Sequence, residues 1–154
     1  MLKPKSVLRR MAAVAALSGI LMAGAIVGAP SASAQVPECV TGGFTADPAT
    51  GSKVKSGKII VYTVTVGVIG GEAAGCLRDI VTSPLLEFVS MEPEGTFFPP
   101  MASILWTGPL QPGTVLQGSL TMQVRCDAPD GAVIEAFSGS TIQHVVKAKK
   151  HCTS

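Results

Sequence analysis

The chain has 154 residues, 47% of them hydrophobic, and a formal charge of +2, but its charges are unevenly placed. Four of the twelve Lys and Arg residues fall within the first 34 positions and all ten Asp and Glu residues fall beyond them, so the remainder carries 8 − 10 = −2. That sign excludes a nucleic-acid reading drawn from the basic whole-chain balance, which belongs to the leading segment.

In chain order, the first element is an export signal. Lys3, Lys5, Arg9 and Arg10 precede an uncharged run over residues 11–27, which breaks at Gly28 and Pro30 and ends in the small residues Ala32 and Ala34. This is the pattern of a cleavable secretory signal helix over 1–34, with the cut after Ala34. The apolar run is at the short edge of what spans a bilayer, so we expect no stable membrane insertion after cleavage. Arg9 and Arg10 lack the flanking residues of the twin-arginine route, which favours general secretion. Cys39 lies too far beyond Gln35 to serve as a lipoprotein anchor. The expected product is secreted, with 35–54 as an N-terminal arm, 55–146 as one domain and 147–154 as a basic C-terminal tail.

Residues 58–66 alternate, with Ile60, Tyr62, Val64 and Val66 on one face and Val61, Thr63 and Thr65 on the other, which predicts a strand. Gly67, Gly70 and Gly71 predict a turn. Strands follow over 76–82, stopped by Pro84, and over 86–91, closed by Pro93 and Gly95. Residues 95–113 carry four prolines and read as loop, with a short strand at 104–106. Alternation returns over 114–125, where Leu116, Leu120, Met122 and Val124 form the apolar face and Gln117, Ser119, Thr121 and Gln123 the wet one. Residues 127–131 predict a turn, and 132–146 a last long strand, broken near Gly139. About seven strands, and no helical spacing beyond the signal, predict an all-β antiparallel sandwich.

Four cysteines, Cys39, Cys76, Cys126 and Cys152, all lie in the exported part, and an even count in an oxidising compartment predicts two disulfides. Zinc is disfavoured, because no two cysteines are closer than 26 residues and only His144 and His151 offer other soft ligands. No metal or cofactor is expected. The chain contains no Asn, so it has no N-glycosylation sequon.

These residues are similar to the immunoglobulin-like conserved repeat of bacterial surface proteins known as domain of unknown function 11. The likeness rests on Gly57, Lys58, Ile60, Tyr62, Thr63, Val64, Thr65 and Val66, then on Leu86, Phe88, Val89 and Ser90. It continues through Gly95, Thr96 and Phe97 to Trp106, Leu110, Pro112 and Gly113. The resemblance implies an immunoglobulin-like sandwich and structural or adhesive display at the bacterial surface, with no catalytic residues. This chain departs from the pattern in its glycines at 67–71, in the absence of the family's Asp before the third strand, at Glu135, and in its four cysteines. Along an immunoglobulin-like path, the start of the strand at Cys76 and the end of the last strand near Cys152 share one end, which favours Cys76 with Cys152 and leaves Cys39 for Cys126. An arm starting at Cys39 can instead run to Cys76.

Trp106 is expected in the core. Phe98, Pro99, Pro100 and Met101 form the candidate interaction loop, an apolar segment stiffened by proline that can anchor a partner at low entropic cost, and Phe97 beside them is expected to be buried. His144 with Ser138, Ser140 and Thr141 lacks the elbow and oxyanion hole of a hydrolase, and Asp79, Glu87, Glu92 and Glu94 suggest solvated turns and edges more than a glycosidase pair. The sequence therefore points to a secreted non-catalytic module that contacts a protein or cell-wall component. A carrier of a small apolar ligand is the first alternative, and a secreted protease inhibitor the second.

Overall fold

The computed structural model describes residues 37–149 and 152, which belong to one compact unit. The expected export signal over 1–34 lies outside the described residues, as do Lys150 and His151 of the basic tail. The described residues form ten strands and no helix: β1 (Glu38–Asp47), β2 (Lys53–Lys55), β3 (Ile59–Ile69), β4 (Ala73–Thr82), β5 (Leu86–Glu92), β6 (Gly95–Phe98), β7 (Met101–Leu110), β8 (Val115–Val124), β9 (Val133–Phe137) and β10 (Thr141–Lys147). One sheet has the order β1-β3-β8-β5 and the other β2-β10-β9-β4-β7-β6. Neighbours run antiparallel except β2, which lies parallel to β10.

The sandwich is immunoglobulin-like in six places: β1, β3 and β8 lie as A, B and E, and β4, β9 and β10 as C, F and G. The remaining places are filled in another order, because the chain crosses from β4 to β5 beside β8 and then returns to the other sheet as β6 and β7, where β7 lies next to β4. The core follows from alternation. Ile60, Tyr62, Val64, Val66 and Val68 of β3 point inward with at most 1% of their surface exposed, against Leu120, Met122 and Val124 of β8 and Ile80, Ile104 and Ile134 of the facing sheet. Trp106 is buried as expected, and its indole nitrogen donates to the Gln117 carbonyl at 3.3 Å. Its ring fits because residue 118 is glycine: a β-carbon there would stand 2.7 Å from the indole.

Three segments of the chain differ in structure from the sequence reading. The expected N-terminal arm is mostly strand: β1 pairs with β3 from Glu38 to Asp47, and Phe44 stacks on Tyr62 at 5.9 Å. Its alternation was hidden by a register shift between Thr41 and Gly43, where one extra residue changes which side chains face inward. The proline-rich loop is the hairpin β6–β7. Pro99 and Pro100 occupy its turn, and Pro109 sits where the β4–β7 register slips, positions that need no ladder donor. Gly67 remains inside β3, and the turn begins at Gly70, which has a φ of 78°.

The disulfide pairing is corrected. The bonds are Cys39–Cys76 and Cys126–Cys152, not Cys76–Cys152 and Cys39–Cys126. Strands β4 and β10 run the same way with β9 between them, so the start of one and the end of the other lie at opposite ends. The same holds for β1 and β8 across β3. Each bond therefore joins one sheet to the other at a single end: Cys39–Cys76 where β3 finishes and Cys126–Cys152 where β3 starts. Two such bonds suit an oxidising, non-cytoplasmic compartment.

Candidate recognition face

Phe98 closes β6 and Met101 opens β7, so the two are direct cross-strand partners flanking the Pro99–Pro100 turn. Thr82 pins the turn, its N–H and its hydroxyl both donating to the Pro100 carbonyl at 2.7 and 3.0 Å. Phe98 is 77% exposed. Phe97, one residue earlier, turns inward and stacks on Phe88 of β5 at 4.8 Å, and it is half-buried rather than buried.

Register extends this pair across the sheet. Met101 of β7 is opposite Val81 of β4, and Val81 is opposite Phe137 of β9. Phe137, Val81, Met101 and Phe98 therefore form one row across four strands, all exposed on the outer face of the β2–β6 sheet. Leu77 and Leu105, also exposed and directly opposed, make a second short row. Between the two rows lie Asp79 and Ser103, with the Ser103 hydroxyl donating to the carboxylate at 2.6 Å. Phe98 and Met101 were legible as candidates from their prolines. Val81 and Phe137 were missed, because only strand order places them beside that pair.

A groove of about 550 Å³ opens on the side of the sandwich between β5 and the β6–β7 hairpin. Pro84, Leu86, Phe88, Phe97, Pro99 and Pro100 line it, with Arg125 at its margin. Arg125 donates to both carboxylate oxygens of Asp127 at 2.9 Å, and that hydrogen bonding holds the exposed Asp127 carboxyl below its ordinary value.

The polar groups considered for catalysis are separately engaged. His144 is fully buried against the edge of the Tyr62 ring, with Nε2 2.8 Å from the Pro48 carbonyl. Ser138 instead donates to the Asp79 carbonyl at 2.8 Å and accepts from Arg78 Nε at 3.1 Å. Asp79 belongs to one sheet, and Glu87 and Glu92 to β5 of the other. No group of three or more metal-ligating side chains occurs among the described residues.

Fold and face together define an immunoglobulin-like β-sandwich with an apolar band on one outer sheet. The chain matches no family model and no curated protein sequence. Among solved structures it is similar to the sixth cohesin of scaffoldin B from Acetivibrio cellulolyticus, solved in complex with a mutated Cel5 dockerin. The TM-score is 0.44 and the identity 12%, over 69% of this chain and 97% of that one.

Proposed function

We propose that this protein is a secreted, non-catalytic interaction module that meets a protein or cell-wall component through the outer face of its β2–β6 sheet. The observation that carries this reading is the row Phe137, Val81, Met101 and Phe98, four apolar side chains left in water on a sheet that nothing covers among the described residues. Antiparallel sheets with one solvated face ordinarily set polar residues outward, and contiguous exposed apolar surface marks contact sites. The pinned Pro99–Pro100 turn adds preorganisation, which lowers the ordering cost of binding. The resemblance to the bacterial surface repeat supports display at a cell surface. The test is retention of labelled protein on the producing cell's wall fraction. Phe98→Ala with Met101→Ala is expected to abolish retention while leaving the melting temperature unchanged, and equal retention by this variant would remove the reading.

The groove beside Phe88 and Phe97 favours a second reading, a carrier of a small apolar ligand, since its volume falls in the range of ligand sites. Native mass spectrometry of protein taken from its own culture medium tests it: a carrier arrives with a bound small molecule.

A further inference from the structure

Strand β4 is paired unequally on its two sides. It hydrogen-bonds β7 from Ala73 to Val81 but meets β9 only at Val81 and Thr82. In an antiparallel ladder, successive residues turn their N–H and C=O groups to alternate sides. Ser138, at the end of β9, donates to the Asp79 carbonyl, and this sets the phase: Asp79, Leu77 and Gly75 aim their main-chain groups toward the β9 side. By that point β9 has turned through Ser138 and Gly139 into β10, so no strand among the described residues pairs with this stretch. The result is a notch of about 260 Å³ lined by Leu77, Arg78, Asp79, Val81, Phe137 and Ser138. Of the three carbonyls on this side, that of Asp79 already accepts from Ser138 and that of Gly75 has the Cys39 Sγ at 3.6 Å, which leaves the Leu77 carbonyl as the open one. An interior strand with open ladder groups is a template for another strand.

The side chains at this edge state what fits. Leu77 is exposed on the outer face. Asp79, two residues on, is exposed and hydrogen-bonded by the Ser103 hydroxyl, and has no Lys or Arg within ion-pair distance among the described residues. Arg78 lies between them in sequence, and its Nε is turned onto Ser138. On one face of an antiparallel pair, opposed apolar side chains and opposed opposite charges both stabilise the added strand.

We propose that the open edge of β4 takes an extended peptide as an added strand, with an apolar side chain beside Leu77 and a Lys or Arg, two positions along, beside Asp79. This rests on the interaction-module reading and names the chemistry of the partner. Main-chain hydrogen bonds hold such a strand, and its alternate side chains select it.

The probe is a random heptapeptide display library selected on the disulfide-intact protein, with the enriched peptides then synthesised. Enrichment of an apolar residue two positions from Lys or Arg is expected, with slowed hydrogen exchange at the Gly75, Leu77 and Asp79 amides. Asp79→Lys is expected to weaken these peptides roughly tenfold or more, and N-methylation of alternate peptide amides to abolish binding. Peptides that keep their affinity through both changes overturn the proposal. If those same peptides are lost with Phe98→Ala, the interaction-module reading stands and only the added strand falls. If selection enriches nothing, the added strand falls, and the interaction-module reading is decided separately by retention on the wall fraction. Concentration-dependent dimerisation that protects these amides without peptide also overturns it, since the occupant is then a second copy.

Discussion

The two outer faces of this sandwich are built by the same alternation and end in opposite chemistry. Along β3 and β8 the outward positions include Thr63, Thr65, Gln117, Ser119, Thr121 and Gln123; Val61 among them is half-buried, and the exposed apolar residues Ile59, Ile69 and Val115 stand at the strand ends. Along β4, β6, β7 and β9 they include Leu77, Val81, Phe98, Met101, Leu105 and Phe137, which cross-strand register sets side by side: Leu77 and Leu105 in mid-strand, and the other four in one row near the strand ends. Inward positions on both sheets are apolar, so core formation does not explain the difference. A polar outer face keeps a sandwich apart from its neighbours, and an apolar one invites contact.

The largest expected effect concerns the bonds that hold the two sheets together. Cys39→Ser with Cys76→Ser opens a loop whose ends are 37 residues apart, and chain entropy sets the loss at about 3–4 kcal/mol. Denaturant unfolding measures it, and a loss below about 1 kcal/mol contradicts the clamp. Next comes the contact face itself. Phe98→Ala with Met101→Ala should cost partner binding about 2 kcal/mol or more, whereas Thr65→Ala with Gln117→Ala on the opposite face should leave binding unchanged. An equal loss from both pairs would erase the distinction between the faces.

Between the sheets, Gly118→Ala should destabilise by about 1–3 kcal/mol through overpacking against Trp106. A smaller effect comes from Tyr62, the only tyrosine in the chain, whose buried phenol is raised above its ordinary 10.0 by loss of solvent. The unfolded chain then releases this proton at lower pH than the folded one, so the contribution is complete below pH 10 and declines as pH rises past it. The decline is at most about 1.4 kcal/mol per pH unit. Tyr62→Phe should flatten that part of the stability profile. At neutral pH it should be neutral or stabilising by about 1 kcal/mol, because the hydroxyl is buried without a hydrogen-bond partner.

Much of the fold was legible where alternation runs uninterrupted. Residues 58–66 and 114–125 fall within or nearly coincide with β3 and β8, the two central strands of their sheet. The strand β1 was not legible, because a bulge at Gly42 breaks its period, nor was the β6–β7 hairpin, because its prolines mimic a loop. Disulfide pairing depended on which strand ends coincide, and that is a property of strand order rather than of any segment. The candidate site divides in the same way. Phe98 and Met101 announce themselves through Pro99 and Pro100, but their continuation through Val81 to Phe137 exists only in the cross-strand register.

The placement of the two disulfides also determines how the domain would carry a mechanical load. Tension entering at β1 crosses from Cys39 to Cys76 through sulfur, and tension leaving beyond β10 crosses from Cys126 to Cys152, so the segments each bond encloses are shielded from stretching. Only the 126 − 76 = 50 residue steps between the inner cysteines can pay out under force, a contour of about 170 Å at full extension. Reduction of both bonds would release the enclosed segments as well, turning a short, load-limited link into a long one.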